Sequence, residues 1–281
     1  MKVFLYYNSK SGNGRGKAKA EKATAFFQGD EIIFKDLLEV TGEDNIRSEG
    51  ADRVVICGGD GTLNHFVNDI DGLEVTRDIY FFSTGSGNDF LNDLEKKSED
   101  GPVLINEYIK DLPTVKVKGM VRKFINGIGY GIDGYCCEEG DRIRATSDKP
   151  VKYTSIAIKG LLFHYKPTNA IVTVDGVTKE YKKVWLSPAM NGRYIGGGMK
   201  ITPGQKRLSS DKKLSNLVFY GAGKIRTLMI FPKIFKGEHV KYTKNAVITE
   251  GRHIKVRYDR PVALQIDGET VLNVTEYEAY V

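Results

Sequence analysis

Gly58-Gly59-Asp60-Gly61-Thr62-Leu63-Asn64 follows four apolar residues, Val54 to Cys57. The apolar run reads as a buried strand, and the glycines as a sharp turn whose backbone can come close to a ligand. Leu63, Phe66, Val67 and Ile70 then recur at helical spacing, and Thr62 stands where it can cap that helix. A glycine turn at a helix N-terminus aims backbone N–H groups outward, which suits phosphate. Asp60 is out of character there, because a carboxylate repels phosphate unless a cation lies between them. The combination predicts a nucleotide accompanied by Mg²⁺. The plainer reading is a tight turn with a solvated aspartate.

Two more loops have the same texture. Asn8-Ser9-Lys10-Ser11-Gly12-Asn13-Gly14-Arg15-Gly16-Lys17 follows the β-prone run 2–7, and Ser83-Thr84-Gly85-Ser86-Gly87-Asn88-Asp89-Phe90 follows the apolar run 79–82. The first is no Walker A loop: Gly12 and Gly16 enclose three residues where that motif has four, and Ala18 stands where Ser or Thr would hold Mg²⁺. Glycine amides with Lys10 and Arg15 can still cradle phosphate, and a flexible surface loop is the alternative. The elements that must carry these loops are strands at 2–7, 31–38, 54–57 and 79–82. Helical stretches are expected at 18–27, 44–49 (one or two turns) and 103–112. Repeated β-loop-α units predict a doubly wound parallel sheet, with ligands at the carboxyl ends of its strands.

The texture changes near Leu112-Pro113-Thr114. Strand-like runs lie at 115–117, 123–130, 170–174, 181–190, 214–220, 246–250, 254–258 and 262–266, and Asp175-Gly176 and Asp267-Gly268 read as hairpin turns. Helical segments are expected at 151–164 and 224–236, the latter broken or kinked at Pro232. The expectation is therefore an α/β nucleotide-binding domain over 1–113, which the C-terminal 276–281 can rejoin, and an antiparallel β-sandwich domain over 114–275. The 281 residues carry a formal charge of +6, which permits anionic partners and selects none. Lysines and arginines show no aromatic-basic clustering, which argues against nucleic acid. No run of about 18 apolar residues appears, so no membrane span is expected. Three cysteines, two of them adjacent, fit a reducing cytoplasm rather than a disulfide framework.

These motifs, taken in order, resemble the catalytic domain of the diacylglycerol kinase and sphingosine kinase superfamily, most of all the soluble bacterial lipid kinases. To the glycine loops the resemblance adds Asn126-Gly127-Ile128-Gly129-Tyr130-Gly131-Ile132-Asp133, Gly196-Gly197-Gly198-Met199-Lys200-Ile201-Thr202-Pro203, and Asp267-Gly268-Glu269. It implies an NAD kinase/diacylglycerol kinase-like fold of two domains and ATP- and Mg²⁺-dependent phosphorylation of a lipid hydroxyl, diacylglycerol to phosphatidic acid first. Another lipid alcohol, or a soluble acceptor such as NAD, is the alternative acceptor. A nucleotide sensor without catalysis is the alternative class.

By the same resemblance, Asn8, Ser9, Lys10, Ser11 and Gly12, the stretch Gly58, Gly59, Asp60, Gly61, Thr62, Leu63 and Asn64, and Gly85, Ser86, Asn88 and Asp89 hold the nucleotide. Asp60, Asp89 and Asp133 join a water-mediated magnesium network. Asp267 and Glu269 carry the base role between them, one as proton acceptor and the other against the nucleotide or its metal, with Asp60 in the catalytic set. A structural Mg²⁺ site is implied at Asp211 with the carbonyls of Leu208 and Lys213. The chain departs from the family pattern at Ser9 (usually Pro), Ser86 (usually Thr) and Lys212 (usually Gly). The implied partner is a lipid at the membrane surface, touched from the cytoplasm; a homodimer is left open. Apolar residues among lysines and arginines at 224–236 suit such a surface, and equally a helix packed on the sandwich.

Overall fold

The structure is a computed structural model and describes residues 1–40, 44, 50–85, 88–147 and 151–281. The chain divides into two compact units, Met1–Leu112 and Pro113–Val281.

The first unit is built on a five-stranded sheet in the order β2-β1-β3-β4-β5. Its strands are β1 (Lys2–Tyr7), β2 (Glu31–Asp36), β3 (Arg53–Gly58), β4 (Ile79–Ser83) and β5 (Val103–Leu104). The first four are parallel and β5 runs against β4. Its helices are α1 (Ser11–Gly14), α2 (Gly16–Ala20), α3 (Asp60–Asp69), α4 (Asp89–Asp93) and α5 (Asn106–Ile109), with a 3₁₀ turn at Glu21–Phe26. Neighbouring strand residues face opposite ways. Phe82 accordingly meets Phe26 at 5.7 Å between ring centroids, while Phe81 meets Phe90 at 5.9 Å. Both faces of the central strands are covered, which is why β1, β3 and β4 read as apolar runs instead of alternating.

Three expectations for this unit need correcting. The stretch 103–112 is not one helix: Val103 and Leu104 pair with Phe81 and Tyr80 as an edge strand, and only Asn106–Ile109 is helical. The Asn106 carboxamide fixes that edge, donating to the Arg77 carbonyl at 2.6 Å and accepting from the Ile79 N–H at 2.8 Å. The stretch 18–27 is the end of α2 followed by the 3₁₀ turn. Thr62 does not cap α3, because the helix already begins at Asp60 with Gly59 as its extended N-cap. The helical turns expected at 44–49 fall, apart from Asp44, outside the described residues.

The second unit is β-rich, and its strands pair antiparallel throughout. They are β6 (Thr114–Val117), β7 (Met120–Lys123), β8 (Gly127–Tyr130), β9 (Thr168–Val174), β10 (Val177–Leu186), β11 (Ala189–Met190), β12 (Tyr194–Ile195), β13 (Met199–Lys200), β14 (Leu214–Tyr220), β15 (Ala246–Gly251), β16 (His253–Ile266) and β17 (Glu269–Tyr280). Strand β16 has register shifts between Arg257 and Leu264. Before them Ile254–Tyr258 pairs with β9; after them Leu264–Ile266 pairs with β8. One bent strand thereby serves two walls of a rolled sheet, which bulges allow. The interior is aromatic. Tyr130 stacks on Tyr258 at 3.8 Å and meets Tyr277 edge-on at 5.5 Å. Each of these three buried hydroxyls donates to a backbone carbonyl, and the Trp185 indole donates to that of Ala222 at 2.9 Å, so none carries the cost of an unpaired polar group.

Here too the sequence is corrected. The run 123–130 is interrupted: Phe124 to Asn126 leave the sheet between β7 and β8. The run 181–190 divides into β10 and β11, and 254–266 is the single strand β16. Residues 276–280 do not rejoin the first unit, since β17 pairs with β16 and β6 within the second. Helix α6 (Ile132–Thr146) was not expected. Its Gly134 weakens the helical pattern but lets the helix close on β16, where a Cβ would stand 2.0 Å from the Ala263 carbonyl oxygen. Helix α7 (Tyr153–Lys159) runs into a π-helical turn at Gly160–His164. Helix α8 (Lys224–Ile234) passes through Pro232 and ends two residues later, so the ring costs only the last turn. Among the described residues no helix is long and apolar enough to cross a membrane.

The lysine at the family's glycine position retains a glycine-like backbone. Lys212 has φ +44, in the left-handed region that side chains disfavour. Lys212→Gly is expected to stabilise the protein by about 0.5–1 kcal/mol, read as a rise in thermal midpoint; an unchanged or lower midpoint would show that the Lys212 side chain earns its strained backbone.

Candidate functional site

In the first unit the three glycine-bearing loops leave neighbouring strand ends. Tyr7 lies opposite Cys57, and Gly58 opposite Ser83, so the segments starting at Asn8, Gly59 and Thr84 emerge side by side. The first loop is shaped by Asn8, whose carboxamide oxygen accepts from the Lys10 N–H at 2.9 Å and whose carbonyl accepts from the Ser11 N–H at 3.0 Å. Gly16 allows α2 to cross directly over it: a Cβ there would lie 1.9 Å from the Asn8 carbonyl oxygen. Gly12 lies inside α1. Asp36, which nothing in the sequence marked, holds the other side of the loop. Its carboxylate accepts from the Ser9 and Leu38 N–H groups, each at 3.2 Å. Burial would raise its pKa, but the Ser9 hydroxyl, these N–H groups and the Lys10 charge hold it below the usual carboxylate value.

At the second loop β3 turns directly into α3. Gly58 is obligatory, since a Cβ would lie 2.4 Å from that of Thr62, whose side chain is packed beneath the turn. Gly61 has open space where its side chain would be. A helix leaves its first N–H groups without intrahelical partners, and this first turn is the one the sequence marks for phosphate. Leu63 and Asn64 are fully buried, Leu63 donating its N–H to the Gly59 carbonyl at 3.1 Å and Asn64 accepting at its carbonyl from Asn68 at 2.8 Å.

Asp60 does something the sequence does not foretell. Its carboxylate accepts from the N–H groups of Asp89 at 2.9 Å and Phe90 at 3.2 Å, the first two residues of α4. It is a cross-loop cap, a negative charge on the positive end of a second helix. The Gly58 carbonyl accepts from Thr84, and the place of a Gly59 Cβ lies 3.6 Å from the Gly85 Cα, so the second and third loops are packed together. Asn88 accepts from the Ser83 hydroxyl, and Asp89 is buried. Ser86 lies outside the described residues.

In the second unit the acidic motif is a β16–β17 hairpin turn. Asp267 has φ +46 and Gly268 φ +96, the pair of left-handed residues that a two-residue turn demands. Asp267 is buried and its carboxylate gathers three backbone N–H groups: Ile125 at 2.5 Å, Asn126 at 2.8 Å and Gly127 at 2.9 Å. It thus closes the gap between β7 and β8. Glu269 forms an ion pair with Arg122 on β7. Asp133, at the start of α6, accepts from the Gln265 side chain at 2.7 Å, while the other end of that amide accepts from the Gly268 N–H at 2.6 Å. Gln265 therefore connects Asp133 to the acidic turn. Sequence offered one signal for it, a lone polar residue within Val262 to Ile266; Arg122 offered none.

The Asp211 motif is exposed and ion-paired. The carboxylate is 55 % exposed and faces the Lys213 ammonium at 3.1 Å. The Ser209 hydroxyl and Lys213 hold its pKa below the usual value. The Lys213 carbonyl already accepts from Gln205 at 2.8 Å, and the Leu208 side chain is exposed. Among the described residues no three His, Cys, Asp or Glu side chains cluster as a metal set.

Residues 2–117 match the diacylglycerol kinase catalytic domain, and residues 126–277 match the YegS C-terminal NAD kinase beta sandwich-like domain. Among characterised sequences, a diacylglycerol kinase of Mycobacterium tuberculosis is 23% identical over 256 residues, covering 85% of this chain and 80% of that protein. A diacylglycerol kinase of Bacillus subtilis is 24% identical over 231 residues, 78% of this chain and 71% of that one. YtlR of Bacillus subtilis is 25% identical over 174 residues; that match spans 54% of this chain and about half, 53%, of YtlR. Among solved structures, a diacylglycerol kinase from Bacillus anthracis superimposes with a TM-score of 0.61 over 99% of this chain and 93% of that one, at 19% identity, a likeness of fold.

Two substitutions test the loop geometry. Gly58→Ala is expected to cost about 1–3 kcal/mol through its clash with Thr62. Asp267→Ala is expected to cost about 3 kcal/mol by leaving three buried N–H groups without their acceptor. Denaturant unfolding measures both, and a loss below about 0.5 kcal/mol in either would mean that the turn relaxes freely.

Proposed function

We propose, because this chain belongs to the bacterial diacylglycerol kinase and lipid kinase family, that it transfers the γ-phosphoryl group of ATP to a lipid hydroxyl, with diacylglycerol as acceptor and phosphatidic acid as product. The observation that carries the reading is the row of three glycine-bearing loops at adjacent ends of parallel strands, with Asp60 joining the second to the third. Phosphoryl transfer asks little covalent chemistry of a protein; it needs fixed donors around the phosphates and a group to receive the hydroxyl proton.

In this reading the donor is the magnesium complex of ATP, taken up as substrate. The loop segments Asn8 to Gly12 and Gly59 to Asn64, with Gly85, Ser86 and Asn88, surround its phosphates, the first-turn N–H groups of Gly61 and Thr62 pointing out of α3, and Lys10 adds positive charge. The backbone supplies these contacts, so they keep their geometry without ordering long side chains. Thr62 serves as a packing residue beneath the turn, and Asp60 and Asp89 hold the loops in register. Of the acidic pair Asp267 and Glu269, one receives the proton and the other stands against the nucleotide or its metal. Asp267 is immobilised by its three N–H donors and Glu269 is aimed by Arg122, so neither has to be reoriented in the transition state. Asp133, through Gln265, steadies the same turn.

Labelled ATP offered with diacylglycerol, phosphatidylglycerol, a sphingoid base, a polyprenol and NAD in mixed micelles tests the reading. The expected product is labelled phosphatidic acid. Labelling of NAD alone would refute the lipid acceptor, and transfer to none of them would favour a nucleotide sensor. Glu269→Gln and Asp267→Asn are each expected to lower kcat by at least ~100-fold with the fold retained; turnover within threefold of the parent in both would remove the acidic pair from the mechanism.

A further inference from the structure

The second unit carries an exposed apolar patch inside a strongly basic frame, and its residues take no part in the loops described above. Helix α8 buries Thr227, Ile230, Phe231 and Ile234. One turn apart on another face, Ile225 is 77 % exposed and Met229 67 %. The π-helical turn after α7 adds Phe163, 72 % exposed. The two segments are neighbours: the Lys224 ammonium donates to the Leu162 carbonyl at 2.6 Å, and Ile225 and Phe163 directly follow the two bonded residues in the chain. Three large apolar side chains left in water at one place are costly for a protein that could have used polar ones, and such patches mark contact surfaces.

Charge identifies what makes the contact. Residues 151–167 and 223–237 contain Lys152, Lys159, Lys166, Lys224, Arg226, Lys233 and Lys236, and no aspartate or glutamate. These two segments carry +7 where the whole chain carries +6, so the rest of the chain is close to neutral. Lys233 shares its charge with Glu238 at 3.6 Å, and Arg226 is steadied by the Asn245 carboxamide at 2.6 Å. An acidic protein surface would answer the charge but would leave the apolar tips unmatched unless it offered its own hydrophobic pocket. An anionic lipid surface answers both at once: headgroups meet the lysines and arginine while Phe163, Ile225 and Met229 enter the acyl boundary.

We propose that this face of α8 and the turn at Gly160–His164 is the surface by which the protein docks on membranes rich in anionic phospholipid. The docking rests on the lipid acceptor proposed above for its purpose, yet it concerns binding and is read without turnover.

Full-length protein is sedimented with vesicles of phosphatidylcholine alone and of phosphatidylcholine with phosphatidylglycerol in equal parts, without ATP, at low and high salt. The parent is expected to pellet with the mixed vesicles at low salt, to be released by high salt and to ignore phosphatidylcholine. Ile225→Ser/Met229→Ser should lower the bound fraction by about tenfold. Because both side chains are exposed, its thermal midpoint should match the parent's. Equal pelleting of parent and variant, or equal pelleting on the two vesicle types, would overturn the proposal. So would a dimer in solution that the double substitution dissolves, since the face would then belong to a second copy. Kinase turnover on a short-chain, water-dispersed diacylglycerol, expected to be the same in parent and variant, keeps the two readings apart. A parent inactive there but bound to vesicles refutes the acceptor and spares the surface; a parent active there whose pelleting ignores the substitutions does the reverse.

Discussion

A carboxylate committed to backbone N–H groups of a neighbouring segment, buried in Asp267 and half-buried in Asp60, is the constraint on which both units turn. Asp267 does this for Ile125 to Gly127, and Asp60 for Asp89 and Phe90. Asp267 is compensated by three short, directed donors, the arrangement that makes a buried ion tolerable, and Asp60 by two. For Asp267 the element fixed is the run between β7 and β8, and for Asp60 it is the first turn of α4. Such junctions would otherwise fray, because regular pairing ends or begins there. The acid supplies the missing acceptor, and the junction acquires one geometry.

That arrangement alters what an acidic residue in a glycine-rich motif signifies. Asp60 reads from sequence as a charge awaiting a cation, and Asp267 as a base. The structure gives both a structural task that any chemical task must share. It also separates them from Asp211, whose carboxylate is exposed and satisfied by the lysine two residues on. Lys212, between the two, has a positive φ, and the Lys213 ammonium sits at the Asp211 carboxylate.

The parts legible from sequence were those governed by local rules. Runs of Val, Ile and Phe gave β1, β3 and β4, and Asp-Gly pairs gave both hairpin turns, since period and turn chemistry act within a few residues. The illegible parts depend on distant partners. Val103-Leu104 looks helical until Tyr80 and Phe81 offer an edge to pair with. Helix α6 is hidden because Gly134 serves packing against Ala263, against its own propensity. Arg122 and Asp36 matter through residues 147 and 27 positions away, a separation that no pattern search spans. The site was readable as motifs, while the contacts that hold those motifs were not.

The rolled closure of the second unit has a further consequence. Because β16 pairs with β9 at one end of its length and with β8 at the other, most strands have neighbours on both sides. Two borders remain among the described strands of this sheet: β7 at its end, and β15, which pairs with β14. The β7 border is brief, with only Met120–Lys123 and two cationic side chains along it, which makes it a poor template for a foreign strand. Closure thereby leaves β15, six residues without a lysine or arginine, as the longer of the two places where a strand could be added.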